Sequence, residues 1–207
     1  AYRMISYLSR LNYDYDNRYY IAGSYRRDGS SRLAPESRWG DFWSVSGMWH
    51  LSSEPFMEAV KPVLNDVKIR ASYGVNGNQP GAFYGYMGLY SYGQNYMGAA
   101  GSYESAQANP KLKWETTVQT NIGLDMSFLD NRISLTADYY YKKTKDLLLN
   151  ATLAPSMGYL SAYRNVGSVS NSGLELTIDT KNIQTKEFSW TSSFNISFNR
   201  NKVLSLN

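Results

Sequence analysis

The 207 residues carry no cysteine, a formal charge of only +4 and a mean hydropathy of −0.47. Disulfide scaffolds, zinc–thiolate centres and cysteine nucleophiles are thereby excluded, and with Arg26 and Arg27, then Lys142 and Lys143, as the only adjacent basic pairs, nucleic acid is not an expected partner. No run of eighteen apolar residues exists to form a membrane-spanning helix, but barrel strands need only about 9–11 residues and half that apolar content. Nineteen tyrosines set among Ser, Asn, Thr and Gly fit a barrel with a wet interior better than a soluble all-β core.

Residues 7–15 alternate, with Tyr7, Leu11, Tyr13 and Tyr15 opposed to Arg10, Asn12 and Asp14. Asp16, Asn17 and Arg18 make a turn. Asp14, Asp16 and Asn17 look like the opening of a calcium loop, yet its glycine and closing glutamate are missing. Residues 19–28 return with Tyr19, Ile21, Gly23 and Tyr25 outward and Tyr20, Ala22, Ser24 and Arg26 inward. A polar connection over 28–41 leads to a strand at 42–49, where Trp43, Val45, Gly47 and Trp49 share a face. Residues 53–60 are the one helical-looking stretch, with Ser53 as N-cap, Pro55 in the first turn and Lys61 and Pro62 as the stop. The strand at 67–74 sets Val67, Ile69, Ala71 and Tyr73 against Lys68, Arg70 and Ser72.

Residues 75–113 are long for a connection and rich in Gly, Tyr, Asn and Ser, as a surface binding loop would be. The clearest hairpin follows. Trp114, Thr116, Val118, Thr120, Ile122, Leu124 and Met126 fall on its outer face, and Glu115, Thr117, Gln119, Asn121, Gly123 and Asp125 on its inner one. After the tight 128–132 connection, Ile133, Leu135, Ala137, Tyr139 and Tyr141 oppose Ser134, Thr136, Asp138, Tyr140 and Lys142. A second long loop spans 150–170. Beyond it lies a strand with Leu174, Leu176 and Ile178 outward, then one with Phe188, Trp190, Phe194, Ile196 and Phe198 outward. The expected fold is all-β, an antiparallel transmembrane β-barrel segment of about eight strands. Connections near 17, 58, 130 and 184 are short or helical, and those near 35, 95 and 160 are long. Outer-membrane barrels keep short turns on the periplasmic side and long loops outside, so the first strand is expected to run towards the periplasm.

Catalysis finds little support. His50 is the single histidine, beside Trp49 at a strand end, and reads as an interfacial residue; no HExxH, GxSxG, Walker A or GxGxxG pattern occurs. Glu115 and Asp125 sit in strands without an evident partner carboxylate. No enzyme activity, metal or cofactor is expected. Tyr84, Tyr86, Tyr90, Tyr92, Tyr96 and Tyr103, interleaved with glycines, read either as a platform that stacks on sugars or grips a peptide, or as a loop that packs on itself or on a partner protein.

Several stretches resemble one family. They are Arg26, Arg27, Asp28, Gly29, Ser30, Ser31 and Arg32 after Tyr25, with Ala34-Pro35 and Arg38-Trp39-Gly40; Ser44 to Ser46 leading to Trp49; and Glu54 to Met57. Further on come 67–79, which includes Arg70, Gly74, Asn76, Gly77, Asn78 and Gln79; 109–115, which includes Asn109, Pro110, Trp114 and Glu115; 121–125; 138–142; and Asn165-Val-Gly167 with Asn171 to Glu175. In this order and spacing the chain resembles the SusC/RagA family of TonB-dependent outer-membrane transporters of Bacteroidetes. The resemblance implies a 22-stranded barrel around an N-terminal plug, with residues 1–207 a partial barrel domain lacking the plug and closing strands. It implies a SusD-like surface lipoprotein as partner, energy from the TonB complex through the missing N-terminal region, and import of oligosaccharides or peptides. Arg26 to Arg32 and Gly74 to Gln79 would then shape the upper lumen and the loop bases. Two alternatives are a complete eight-stranded barrel with a structural or adhesive role and a soluble glycan-binding β-sandwich. A barrel fragment would leave two unpaired edges and is not expected to be a stable soluble monomer.

Overall fold

The computed structural model describes residues 2–159 and 161–206, with Tyr96 described in its backbone alone. Twelve strands follow in chain order: β1 (Met4–Tyr15), β2 (Tyr19–Ser30), β3 (Trp39–His50), β4 (Leu64–Asn78), β5 (Leu89–Tyr96), β6 (Ala99–Ala106), β7 (Glu115–Phe128), β8 (Ile133–Lys145), β9 (Leu148–Thr152), β10 (Ser161–Asn165), β11 (Ser168–Gln184) and β12 (Ser189–Ser205). Eight of them form one antiparallel sheet in the order β1-β2-β3-β4-β7-β8-β11-β12. Each pairs with its neighbour and β1 does not meet β12, so this sheet does not close as an eight-stranded barrel.

The register shows what each face is for. One row across all eight strands reads Tyr13, Ile21, Gly47, Ala71, Ile122, Tyr139, Leu174 and Phe198. The neighbouring row on the same face reads Tyr15, Tyr19, Trp49, Ile69, Leu124, Ala137, Leu176 and Ile196. In a soluble sheet these would be covered, yet Ile122 in a central strand is 53% exposed and Phe198 57%. The opposite face carries Asp14, Tyr20, Met48, Arg70, Gly123, Asp138, Glu175 and Ser197 in one row. An apolar belt outside and a polar wall inside are what a strand between lipid and water requires.

Turn chemistry separates the two ends. Asp16 and Asn17 both take left-handed backbone, with φ of 53° and 51°, and close the β1–β2 turn. Leu129, Asp130 and Asn131 do the same between β7 and β8. The wall strands run longer than the alternation indicated because their ends trade apolar residues for polar ones while pairing continues. The two long loops also differ from expectation. Residues 75–113 contain the last turn of β4 pairing and the hairpin β5–β6, and residues 150–170 contain most of β9 and β10. Gly and Ser interrupt the alternation of β5 and β6, and β9 and β10 are only five residues each. The helical stretch is two 3-10 helices, Leu51–Ser53 and Pro55–Val60. Pro55 opens the second, but its N-cap is Glu54 and not Ser53, and no side chain caps it. Ser53 instead bonds His50 Nδ1 at 3.0 Å.

Candidate functional site

The polar wall is organised around Arg70. It faces Gly123 on β7 and, one strand further, Asp138 on β8. A Cβ at Gly123 would lie 2.5 Å from Asp138 Oδ1 and 2.7 Å from Arg70 Cζ, so only glycine lets the guanidinium lie across β7. Arg70 Nε donates to Asp125 at 2.7 Å and Nη2 to Asp138 at 3.0 Å. The partner that the sequence did not reveal for Asp125 is thus a cation, not a second carboxylate. Beside this ion cluster a lumen-side groove of about 650 Å³ is lined by Gln119, Asn121, Tyr140, Lys142, Asn171 and Glu175, among others. Its lining is built from amides, hydroxyls and single charges, suited to a hydrated solute.

At the loop end the wall rises into an apolar cluster of Leu33, Phe42, Leu112 and Trp114, all buried, with Tyr86, Leu148 and Tyr163 against it. Phe42 points into the lumen and meets Trp114 edge-on at 5.4 Å. Trp114 was expected on the lipid face. It lies one residue before β7, free of the pleat, and turns inward to donate its indole N–H to the Arg38 carbonyl at 3.0 Å.

Most of the family-motif residues tie this base together. Arg26 sits 2.8 Å from the fully buried Asp28 and over the Phe42 ring. Ser30 donates to Gln79 at 2.6 Å, and Gln79 Nε2 donates to Tyr2 at 2.8 Å. Arg32 lies between the Tyr2 and Phe83 rings and donates to the Pro80 carbonyl. Ser31 Oγ accepts from the Arg3 amide, and the Trp39 ring lies over Gly29. Gly74 and Gly77 leave room for Ser44 and for the Phe42 ring, Asn76 lines a small lumen-side groove, and Asn78 pairs with Glu115, which accepts from the Leu148 amide. Asn109 donates to the Tyr163 carbonyl at 2.8 Å, while Pro110 is exposed. Arg27 departs from the expected lumen position: strand alternation turns it outward, over Trp39 and 3.7 Å from Asp41.

One anchor escaped the residue-by-residue reading. Asn165 accepts from the Lys113 amide and donates to the Lys113 and Asp146 carbonyls, at 2.8, 2.8 and 3.0 Å. Its sequence signal was its place in the Asn165-Val-Gly167 stretch of the family resemblance, where Gly167 has a φ of 79°.

The tyrosines do not form one platform. Tyr86 joins the apolar cluster. Tyr90 and Tyr92 share a face of β5–β6, 60% and 81% exposed, whereas Tyr103, paired with Ser91, lies on the other. Tyr84 stands exposed with φ of 59°, and the Tyr96 side chain lies outside the described residues. A cavity of about 300 Å³ opens between this hairpin and β9–β10, lined by Phe83, Tyr84, Met87, Leu89, Asn150 and Tyr163, among others. Glu104 on β6 accepts from Tyr159, which raises that phenol above its ordinary range and links the two loops.

At the turn end Glu54 accepts from Tyr19 at 2.6 Å and from Trp49 at 3.1 Å, and these bonds hold its carboxyl below the usual range. His50 lies between Asp66 and Ser53, at 2.6 and 3.0 Å. Its Nδ1 also faces the Asn17 carbonyl at 3.2 Å, so the ring ties the β1–β2 turn to the start of β4.

A polar lumen, an outward apolar belt, short turns at one end and folded loops at the other define a wall segment of an outer-membrane β-barrel. The family described as TonB dependent receptor-like, beta-barrel matches residues 6–204, and the chain belongs to it. TonB-dependent receptor P39 of Formosa agariphila is 38% identical over 206 residues, covering 100% of this chain and 20% of the relative. TonB-dependent receptor SusC of Bacteroides thetaiotaomicron is 37% identical over 211 residues, covering 98% and 21%. The solved RagAB peptide transporter superposes with a TM-score of 0.92 at 33% identity, over 99% of this chain and 22% of that one. The chain spans about a fifth of the length of the curated relatives it matches.

Proposed function

We propose that this segment forms wall and outer loops of a TonB-dependent transporter that imports oligosaccharides or peptides. The eight wall strands belong to a larger, 22-stranded barrel whose plug and closing strands lie outside residues 1–207. The loop end faces the cell exterior, where a SusD-like lipoprotein caps it, and the TonB complex engages the protein through a segment beyond this chain. The observation that carries the reading is the pairing of a polar lumen groove with a loop rim that is folded and latched, yet presents Tyr90 and Tyr92 freely. Exposed tyrosines on a hairpin suit sugar faces and peptide side chains alike. The likeness to a peptide transporter supports peptides, and the exposed tyrosine faces support oligosaccharides.

The test is uptake by intact cells carrying the full-length gene, supplied with labelled oligosaccharide and peptide pools. Uptake of one pool is expected to vanish on gene deletion and on TonB depletion, and to fall when residues 89–106 are replaced by a short Gly–Ser link. Uptake indifferent to TonB would overturn the proposal.

A further inference from the structure

One connection at the turn end of the wall is unlike the rest. Short links at 16–18, 129–132 and 185–188 join β1 to β2, β7 to β8 and β11 to β12. Between β3 and β4 the chain instead runs through 51–63 with its two 3-10 helices. Phe56, Val60 and Val63 stand exposed along it, Phe56 at 65%. The strands it joins are central in the sheet, with paired neighbours on both sides.

The contacts of this segment put it on the outer side of the sheet, away from the lumen. Glu54, which opens the second helix, accepts from the Tyr19 hydroxyl and the Trp49 indole, and both residues belong to an outward row. Those two rings stack at 6.3 Å and form the lower margin of the apolar belt on β2 and β3. Val67 also falls in an outward series, yet it is only 4% exposed. The 51–53 turn packs against that end of β4, and the Ser52 hydroxyl accepts from the Val67 amide. At the far end the Val63 carbonyl accepts from the Leu129 amide at 2.9 Å, so the segment passes below β4 from the Tyr19–Trp49 stack to the β7–β8 turn.

We infer that residues 55–63 form a foot lying in the lipid–water boundary at the turn end, with Phe56 and Val60 seated among phospholipid acyl chains. Continuity selects lipid as the occupant: Glu54 ties the foot to the outward Tyr19 and Trp49, so its exposed apolar residues extend the face that already meets acyl chains. The charges on the foot, Glu58 and Lys61, are one of each sign and exposed, as side chains reaching the headgroup layer would be. The orientation proposed above makes this the inner leaflet, and the choice of leaflet alone rests on that reading.

The test uses the full-length transporter in phospholipid vesicles, spin-labelled at Phe56→Cys or, as a second reporter on the same foot, at Val60→Cys. Collisions of the label are measured with oxygen, which concentrates among acyl chains, and with a water-soluble nickel chelate. Ile122→Cys on the belt supplies the lipid reference, Lys186→Cys in the β11–β12 link the water reference, and the parent the background. Heat-shifted migration on gels confirms that each variant is folded. Labels at 56 and 60 are expected to lose nickel collisions and keep oxygen collisions, as the label at 122 does. A nickel-rich response like that at 186 would place the foot in water, and shielding from both reagents would mean that protein covers it; either result overturns the inference. A label at 122 that itself responds like water would remove the belt, and the foot with it. The leaflet is read separately, by labelling a Tyr92→Cys variant in intact cells with a membrane-impermeant maleimide. Labelling there supports the inner leaflet, and failure to label removes that assignment together with the orientation on which it rests.

Discussion

The packing of Phe42 over Gly77 makes a sharp double-mutant experiment. Phe42 is 5% exposed, with Trp114 against its edge and Gly40 and Gly77 beneath its ring. Truncation to alanine forfeits the buried ring and the aromatic contact. A loss of about 3 kcal/mol is expected, the low end for Phe→Ala, because a groove of about 110 Å³ beside Arg26 and Ser44 allows some collapse. Gly77→Ala would place its Cβ inside the ring. With Gly40 and Trp114 against it, Phe42 can shift only towards the groove beside Arg26 and Ser44, so overpacking should cost about 1–3 kcal/mol. In the Phe42→Ala background that collision is gone, and Gly77→Ala should cost almost nothing. The readout is trypsin cleavage of the folded full-length protein at Lys111 and Lys113, which flank the fully buried Leu112. Cleavage there requires the base to open, so 3 kcal/mol should accelerate it roughly a hundredfold. Additive effects of the two substitutions would refute the packing argument.

Three further outcomes follow from the wall and its ends. Arg70→Met should destabilise the barrel by about 1–2 kcal/mol, a figure already reduced for its partly exposed partners; adding Asp125→Asn and Asp138→Asn should restore most of the heat-shift temperature, and a triple variant no better than the single one would contradict the pairing. Glu54, whose carboxyl is held below its ordinary range by Tyr19 and Trp49, contributes stability that is complete above about pH 4.3 and is lost as pH falls through the depressed value. Hydrogen exchange at the 51–63 turn should therefore accelerate only in acid, and a Glu54→Gln variant with an unchanged acid limb would disprove the role. The 207-residue chain expressed alone, with β1 and β12 as open edges and an uncovered apolar belt, should sediment as aggregate in detergent-free buffer; a monodisperse monomer with a sharp melt would count against the membrane reading.

The wall strands were legible because lipid on one side and water on the other write a period of two into every strand, whichever strand it pairs with. Ile122 and Gly123 could be assigned to opposite faces without any knowledge of neighbours. What the period cannot supply is register, and the chemistry of the wall lives there. Arg70, Asp125 and Asp138 were each placed inward, but nothing local says that Arg70 stands opposite Gly123 and can reach both carboxylates. Where pleating stops, alternation misleads: Trp114 belongs to the outward series by parity and to the inner cluster in fact. The loops were least legible, since Gly and Ser interrupt the alternation of β5–β6, and β9 and β10 are too short to show a period. Their order comes from side chains that bind backbone, as Asn165 and Asn109 do, and such contacts join residues more than fifty positions apart. The same anchors bear on how the rim moves. With the bases of 79–114 and 146–167 bonded to each other and to the wall, rearrangement on binding should concentrate in the tips around β5–β6 and β9–β10, which make few bonds to the wall. Hydrogen exchange that is slow at 109–115 and fast at 89–106 is the pattern this division requires.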